Sequence, residues 1–155
     1  MKVALVCVGK LKENYWRDAL AEYAKRMSRF CKFEVIEVAE SKITGRAVGE
    51  IAQAIRQEGE RLLAALHGTV VVLDRGGVEC TSEQIADKVQ QCQSSGKDMC
   101  FVIGGSDGLS QAVLDKADWT IRFGRVTFPH QLMRVVCAEQ LYRAFCINNH
   151  IAYHK

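Results

Sequence analysis

The sequence predicts a single α/β domain in which a parallel sheet is covered by helices on both faces. Three observations favour this fold class. Segments with strand character alternate with amphipathic helical segments along all 155 residues. The inner strand segments are apolar at every position, which is typical of parallel strands buried on both faces. A chain of this length fits one domain, and residues 1–155 contain no linker, internal repeat or low-complexity stretch.

The first predicted elements are two strands and two helices. Residues 2–8 form an apolar, β-branched run that is typical of a buried strand. Residues 13–29 carry apolar side chains at every third or fourth position, which predicts an amphipathic helix. Residues 32–38 alternate between apolar and polar, as a strand does, and residues 47–66 repeat the helical spacing until Gly68 ends it.

The second half of the chain continues the alternation. Residues 69–74 and 99–103 are apolar almost throughout, which predicts fully buried strands. Ser82 is the predicted N-cap of a helix that extends to Cys92. The remaining predicted elements are a short helix at 109–116, a strand at 119–123, a long helix at 131–147 and a short tail to Lys155.

Composition excludes several classes of protein. No stretch approaches the roughly 20 apolar residues that span a bilayer. Lys10 and Lys12 follow the first apolar run, where a signal peptide would carry a small-residue cleavage site. The seven cysteines are odd in number and no two form Cys-x-x-Cys, so we expect free, mostly buried thiols and no metal site. These features predict a cytoplasmic protein without a membrane segment.

Three predicted strands end in glycine-rich or polar loops, which begin at Leu73, Ile103 and Phe123. Ligands of open parallel sheets bind at the carboxyl ends of the strands, and glycine lets a backbone approach a ligand closely. The three loops together therefore predict a binding pocket, although each taken alone fits a plain tight turn. None has the spacing of a Rossmann or Walker phosphate-binding loop, which argues against a dinucleotide or nucleoside triphosphate.

The positive charge of the chain is concentrated near its C-terminus. From Trp119 to Lys155, five arginines and lysines accompany a single acid, Glu139, whereas the rest of the chain is close to neutral. A basic C-terminal quarter beside the predicted pocket favours a polyanionic partner, RNA above all. A solvated basic surface without a partner is the alternative, and charge alone supports it equally.

The last predicted helix is apolar around almost its whole circumference, which predicts burial. Because a terminal helix has few neighbours in its own chain, we expect a second subunit to cover part of it. Pro129 precedes the helix, and its fixed φ and missing N–H suit a helix start. Arg134 and Arg143 are about two and a half turns apart, so they point in opposite directions. Glu139 and Arg143 have the spacing of an intrahelical ion pair.

Several motifs occur in a specific order along the chain. They are Val8-Gly9-Lys10-Leu11-Lys12, Tyr15-Trp16, Ile103-Gly104-Gly105-Ser106-Asp107-Gly108, Thr127-Phe128-Pro129-His130-Gln131-Leu132-Met133-Arg134, Glu139-Gln140-Leu141-Tyr142-Arg143-Ala144 and Ala152-Tyr153-His154-Lys155. Each motif alone is weakly specific. In this order and spacing, over the whole chain, they resemble one bacterial family, that of ribosomal RNA large subunit methyltransferase H in the SPOUT superfamily.

The resemblance implies an α/β SPOUT fold with a deep trefoil knot in its C-terminal part, which general topology rules do not predict. It implies that the knot loops bind S-adenosylmethionine (SAM) in a bent shape. It also implies a homodimer that methylates N3 of a pseudouridine in 23S rRNA within the assembled ribosome. By position, the cofactor-binding residues are Leu73, Gly104, Gly105, Phe123, Gly124, Arg125, Val126, Thr127 and Phe128.

Methylation at an imide nitrogen requires that its proton leave, so a base, or cations that stabilise the imidate, would assist. His154 is the first candidate to orient or deprotonate the target, because histidine titrates near neutrality and the tail could reach a partner's pocket. Arg143, Tyr153 and Glu139 are the other catalytic candidates. The structural alternatives are a solvated His154 and a helix-capping His130. The candidates for RNA contact are Arg134, His130, Arg143 and Lys155.

Three other functions fit parts of the sequence. Another SPOUT methylation of RNA, such as transfer to a ribose 2′-O, would use the same cofactor loops. A non-catalytic α/β RNA-binding or assembly factor would need only the basic C-terminal quarter. A nucleotide- or flavin-binding protein fits the α/β pattern, but the missing phosphate-binding signatures argue against it.

Overall fold

The structure is a computed structural model that describes residues 1–45 and 47–155. The described residues form strands and helices in strict alternation, which confirms the predicted fold class and element order. The strands are β1 (Lys2–Val8), β2 (Lys32–Val38), β3 (Thr69–Glu79), β4 (Met99–Ile103) and β5 (Trp119–Arg122). The helices are α1 (Asn14–Met27), α2 (Val48–Ala65), α3 (Ser82–Ser94), α4 (Gln111–Leu114) and α5 (His130–Asn148).

The five strands form one sheet in the order β2-β1-β4-β3-β5, and every neighbouring pair is parallel. All carboxyl ends of the strands therefore lie at the same edge of the sheet. The chain first adds β2 on one side of β1 and then continues with β3 on the other side. A reversal of this kind separates the loops that follow neighbouring strands, and it opens a crevice at the carboxyl edge.

Two apolar layers hold the helices on the sheet. In β1, Val3 and Leu5 point into the layer that contains α1, α3 and α5. Ala4 and Val6 point the other way, into the layer shared with α2 and α4. The alternation places buried side chains on both faces of the central strands, as their continuous apolar sequence predicts. The seven cysteines are free thiols, and all except Cys80 are buried, as expected.

Strand β3 is longer than predicted because the glycine pair after Arg75 does not end it. Leu73 and Val78 both align with Ile121 of β5, so the residues between them form a bulge. A Cβ on Gly77 would lie 2.6 Å from the backbone carbonyl carbon of Ile121. Only glycine permits this approach, and β3 rejoins β5 beyond it.

Two helix termini also differ from the prediction. The N-cap of α3 is Thr81 and not Ser82, because the Thr81 side chain accepts from the Gln84 amide and the Gln84 side chain accepts from the Thr81 amide. This reciprocal pair is a capping box, which satisfies two backbone donors at the helix start. The short helix predicted at 109–116 is a single turn, α4, that begins after Ser110.

Helix α5 packs between α1 and α3 of its own chain. The expectation that this terminal helix has few neighbours in its own chain is therefore wrong, while its cover by a second subunit stays a prediction. Pro129 directly precedes α5 with a φ of −54°, and its carbonyl accepts from the Met133 amide (3.0 Å), as predicted for the helix start. Among the described residues, no helix has the length and apolar character that crossing a membrane requires.

Helix α5 ends in a turn that sends the tail back along the helix. His150 has a φ of +53°, its amide donates to Ile147, and the Ile151 amide donates to Cys146. This pair of bonds is a Schellman motif, which closes the last helical turn and reverses the chain. As a result the ring of Tyr153 packs edge-on against Tyr142, with centroids 4.9 Å apart.

Candidate active site

A pocket of about 900 Å³ opens at the carboxyl ends of β3, β4 and β5. A volume of this size is within the range of pockets that enclose small ligands and cofactors. Parallel strands bring their carboxyl ends to one edge, so loops distant in sequence converge there. The lining includes all of the predicted cofactor-binding residues, namely Leu73, Gly104, Gly105, Phe123, Gly124, Arg125, Val126, Thr127 and Phe128.

The loop after β4 forms one wall of the pocket. Gly105 and Gly108 pair in an isolated antiparallel bridge, in which the Gly108 amide donates to the Gly105 carbonyl (3.2 Å). A Cβ on Gly104 would lie 2.8 Å from Cγ of Leu109. Gly108 has a φ of +96°, where other residues are strained. Glycine at these positions therefore allows a tight turn with little side-chain bulk beside the pocket.

Residues 123–128 form the opposite wall, between β5 and α5. They belong to neither helix nor strand, so their backbone N–H and C=O groups are not used by regular secondary structure. Gly124 has a φ of +93°, which turns the chain at the end of β5. Phe123 and Phe128 are half-buried and give this wall apolar surface, whereas Val126 is exposed. The wall can therefore offer a ligand both backbone hydrogen bonds and apolar contact.

Two charged side chains that the sequence analysis did not assign to the site, Glu79 and Arg122, stand beside the predicted Arg125 at the β5 side of the pocket. Arg122 Nη2 lies 3.2 Å and Arg125 Nε 3.5 Å from the same carboxylate oxygen of Glu79. Arg122 also donates to the carbonyl of Arg75 (3.3 Å). These contacts arise because Glu79 pairs with Arg122 at the extended end of β3. The sequence does not indicate this pairing, since the glycine pair after Arg75 has the pattern of a turn that ends the strand. The unassigned lining residues are Asp74, Arg75, Ile103, Ser106, Asp107, Gly108, Leu109, Ile121, Arg122, Pro129 and Met133.

Arg134, a predicted RNA contact, lies in the interior and is 1% exposed. Its Nη1 donates to Glu37 Oε1 (3.0 Å), and its Nη2 donates to the carbonyls of Val8 (2.6 Å) and Gly9 (3.1 Å). These bonds tie the first turns of α5 to the carboxyl ends of β1 and β2. Because no face of the guanidinium is open to RNA, we assign Arg134 a structural role.

The other predicted RNA contacts lie at different places. His130 is the half-buried first residue of α5 and lines the pocket, but its side chain does not cap the helix. Burial, reinforced by the charge of Arg134, lowers the pKa of His130, which keeps its imidazole neutral at pH 7. Lys155 is exposed at the end of the tail, and Arg143 is half-buried on α5.

The four predicted catalytic residues form one cluster between α5 and the tail. Glu139 Oε1 accepts from Arg143 Nη2 (2.6 Å), from Arg143 Nε (3.1 Å) and from the Tyr153 hydroxyl (3.1 Å). The spacing of Glu139 and Arg143 thus produces the predicted intrahelical ion pair. The Arg143 guanidinium also stacks on the Tyr153 ring at 4.8 Å from its centroid. Sequence reasoning alone does not reveal this cluster, because the turn at His150 creates it.

His154 is held by both of its ring nitrogens. Nδ1 lies 3.3 Å from Arg143 Nη1, and Nε2 lies 2.8 Å from Glu83 Oε1 at the start of α3. Arginine can only donate, so Nδ1 is the acceptor and Nε2 carries the proton that is donated to Glu83. The contact anchors the tail to α3.

The pKa values of Tyr153 in the cluster and of Glu83 beside it are strongly shifted. Burial, together with the hydrogen bond to Glu139, raises the pKa of Tyr153 to about 12. Tyr153 therefore keeps its proton at physiological pH. The pKa of Glu83 is lowered to about 2 by hydrogen bonds with its own backbone amide at the helix start, with the Thr81 side chain and with His154. Glu83 is therefore a carboxylate under all physiological conditions, and the start of α3 carries a fixed negative charge.

The pocket and the cluster lie apart in one chain. Arg143 is 13 residues beyond His130 on α5, a separation of about 20 Å along the helix axis. The pocket lining contains none of the four clustered residues. The structure therefore brings the predicted cofactor residues together and the predicted catalytic residues together, but in two places. Among the described residues, no group of histidine, cysteine or acidic side chains has the arrangement of a metal site.

Comparisons with known proteins agree with this architecture. A family model described as "Predicted SPOUT methyltransferase" matches residues 1–154. Solved structures share the fold at low sequence identity. A probable methylase family protein from Haemophilus influenzae is 13% identical with a TM-score of 0.58, over 99% of this chain and 70% of that chain. TrmJ from Z. mobilis is 13% identical with a TM-score of 0.52, over 93% of this chain and 70% of that chain.

Relatives with much higher identity match from end to end. The proteins named "Ribosomal RNA large subunit methyltransferase H" from Bifidobacterium animalis subsp. lactis and Limosilactobacillus reuteri are 50% and 46% identical to this chain. The protein of the same name from Levilactobacillus brevis is 47% identical. All three alignments cover 100% of both chains. The chain thus belongs to the SPOUT methyltransferases, and among them to the family of ribosomal RNA large subunit methyltransferase H.

Proposed function

We propose that this chain methylates the 23S rRNA of the large ribosomal subunit and uses SAM as the methyl donor. The observation that carries the proposal is that the three loops at the carboxyl ends of β3, β4 and β5 line one pocket together. This pocket lies in a chain of a methyltransferase family. Relatives that are 46–50% identical over their full length are named for methylation of large-subunit rRNA, which supports the same reaction class here.

The pocket fits SAM in size and in chemistry. Its volume of about 900 Å³ accommodates a cofactor of that size. Backbone groups of residues 123–128 can bind polar parts of the cofactor, while Phe123, Phe128 and Leu73 offer apolar surface. The Gly104-Gly105 turn allows close approach on the other side. When bound, SAM supplies an electrophilic methyl group on a sulfonium, so the main task of the protein is to align donor and acceptor.

We propose N3 of a pseudouridine as the acceptor. An imide N–H at this position is weakly nucleophilic, so the protein must accept its proton or stabilise the anion that remains. Tyr153 holds its own proton up to about pH 12 and therefore serves as a hydrogen-bond donor and not as the base. Glu139 orients Arg143 and Tyr153 through one oxygen. Arg143 contributes the positive charge that would stabilise an imidate.

His154 is the residue that we assign to deprotonate or orient the target base. Its Nδ1 accepts from Arg143 and is the unprotonated nitrogen. To accept a proton from the target, the imidazole exchanges Arg143 for the substrate as the partner of Nδ1. The proton already on Nε2 stays on that nitrogen and is hydrogen-bonded to Glu83 (2.8 Å), whose negative charge stabilises the imidazolium that forms.

We propose that the active unit is a homodimer. Arg143 lies about 20 Å from the start of α5 at the pocket, so one chain does not join cofactor and catalytic cluster as arranged here. A second copy whose tail lies over the pocket of its partner would bring the two parts together. Light scattering at micromolar concentration is expected to give the mass of a dimer. A monomer with full activity would contradict the composite site.

The partner in this proposal is the assembled ribosome, and the compartment is the cytoplasm. Of the predicted RNA contacts, His130 at the pocket, exposed Lys155 and Arg143 remain candidates for contact with rRNA, and exposed Arg125 is added to them. Arginine and lysine neutralise phosphates, so ribosome binding is expected to weaken as salt concentration rises. We propose that the dimer recognises the shape of the ribosome through its surface.

Calorimetry with SAM tests the proposal at its first step. A methyltransferase is expected to release or absorb heat with saturation at one SAM per chain. A Gly104→Val variant serves as the control, because the added side chain would collide with Leu109 and deform the pocket wall. The absence of binding to the wild-type protein would favour a non-catalytic RNA-binding protein.

A further inference from the structure

Glu58 of α2 is a buried acid that the proposed mechanism does not use. Its side chain is only 8% exposed, and burial raises its pKa. Burying a carboxylate is costly unless it is paired, and an apolar side chain of similar size would fill the same space at lower cost. A glutamate at this position therefore points to a specific contact that an apolar residue cannot make.

One carboxylate oxygen of Glu58 holds the segment that follows β2. Its Oε1 accepts from the Ser41 amide at 2.8 Å. The next turn of α2 supports the same segment, because Arg61 Nη1 donates to the Ala39 carbonyl (2.8 Å) and to the Ser41 hydroxyl (2.9 Å). Residues 39–41 are thus attached to α2 at several points, and Glu58 is the innermost.

The other oxygen of Glu58 faces the cofactor loop. Oε2 would lie 3.2 Å from a Cβ built on Gly105, which is within the Gly104-Gly105 turn of the pocket wall. Glu58 therefore stands between the segment after β2 and the loop after β4. Charged groups around it are Glu40, Arg61 and Asp107, the last of which belongs to the same loop.

The residue next to Glu58 supports the other end of that loop. A Cβ on Gly59 would lie 2.2 Å from Oγ of Ser110, the N-cap residue of α4. The Ser110 hydroxyl is buried without a hydrogen-bond partner in the described part of the chain, so close packing and not bonding keeps it there. Consecutive residues of α2 thus contact both ends of the segment from Gly105 to Ser110.

We propose that Glu58 is a positioning residue for the cofactor loop: the turn at Gly105 packs against its Oε2, while its Oε1 binds the Ser41 amide. This inference rests on the proposed SAM pocket. Glu58 does not line the pocket and has no part in proton transfer. Its removal is expected to loosen the loop after β4 and to weaken cofactor binding, while the rate with saturating cofactor is retained.

The test compares three variants on α2. Glu58→Ala removes both oxygens, Glu58→Gln keeps the volume and the acceptor for the Ser41 amide, and Glu60→Gln changes an exposed charge two residues away. Calorimetry and the KM for SAM report the affinity, and kcat on ribosomes reports the chemistry. Amide hydrogen exchange of residues 104–109 reports the loop directly, with α3 as an internal reference for global stability.

We expect Glu58→Ala to weaken SAM binding about tenfold, because the packing contact with Gly105 and the hydrogen bond to the Ser41 amide are lost together. Exchange at 104–109 is expected to accelerate while exchange in α3 stays unchanged, and Glu58→Gln should restore most of the affinity. Equal behaviour of Glu58→Ala and Glu60→Gln would overturn the inference, as would loss of protection throughout α3. If the wild-type protein binds no SAM, the proposed function fails, whereas exchange at 104–109 still decides the role of Glu58.

Discussion

Replacement of Arg134 by methionine separates a structural arginine from an RNA-binding one. Methionine keeps much of the aliphatic length but removes the guanidinium. The change deletes the ion pair with Glu37 and the hydrogen bonds to the carbonyls of Val8 and Gly9. We expect a large loss of stability, because Arg134 is 1% exposed and its partners depend on it.

The expected magnitude follows from the burial of the partners. Removing one member of a buried ion pair costs about 3–5 kcal/mol, because the other charge is left unpaired. The Glu37 side chain is 28% exposed and still accepts from the Leu11 amide, so water and that hydrogen bond partly stabilise its unpaired charge. We therefore expect about 3 kcal/mol, near the lower end. For a domain of this size, such a loss lowers Tm by about 6–12 °C.

Urea denaturation, followed by the fluorescence of Trp16 and Trp119, measures the change in the free energy of unfolding. A double variant that also carries Glu37→Gln is expected to recover part of the stability, because the unpaired charge is gone. A loss below about 1 kcal/mol would refute the structural role. A selective loss of ribosome binding at unchanged stability would restore Arg134 as an RNA contact.

Three further predictions concern other contacts of the fold. In thermal unfolding, Gly59→Ala should destabilise the fold by about 1–3 kcal/mol, because its Cβ would lie 2.2 Å from Ser110 Oγ. Gly49→Ala is the matched control: its Cβ would have nothing within 4 Å, so it should stabilise the fold by about 0.5–1 kcal/mol. Equal effects of the two variants would contradict the close packing of Gly59 against Ser110. The pKa of Glu83 is about 2 in the folded chain against 4.5 for a free side chain, so its stabilising effect is present above pH 4.5 and lost as the pH falls toward 2. Glu83→Gln should flatten the dependence of Tm on pH in that interval. An unchanged slope would argue against the hydrogen bonds of Glu83 at the start of α3. His154→Ala should retain SAM binding in calorimetry but lose most methyl transfer to ribosomes, and wild-type turnover would exclude a catalytic His154.

The element order could be predicted from sequence because burial on both faces leaves continuous apolar strands between helices. The extent of β3 could not, since a glycine pair after Arg75 has the pattern of a turn. Only Ile121 opposite Gly77 explains why the strand continues. The sequence also predicts that α5 is buried, but what covers it depends on the places of α1 and α3. The trefoil knot implied by the resemblance stays a prediction.

The pocket was predictable because glycine-rich loops follow three strands whose carboxyl ends must meet. The interior position of Arg134 was not, because an arginine in a basic segment normally lies at the surface. Its partners Glu37 and Val8 are 97 and 126 residues away in sequence, and only the fold brings them together. The role of Glu58 could not be predicted from the sequence for the same reason. Its contacts with Ser41 and the Gly105 loop depend on how α2 packs on the sheet.

The most direct test of the account is the position of the methyl group in 23S rRNA. Ribosomes from a strain that lacks this protein are incubated with the purified chain and methyl-labelled SAM, and the rRNA is digested and analysed by mass spectrometry. We predict one labelled nucleotide per large subunit, a pseudouridine methylated at N3. A label on a ribose 2′-O would contradict the proposed acceptor, and the absence of any transferred label would contradict the enzymatic function itself.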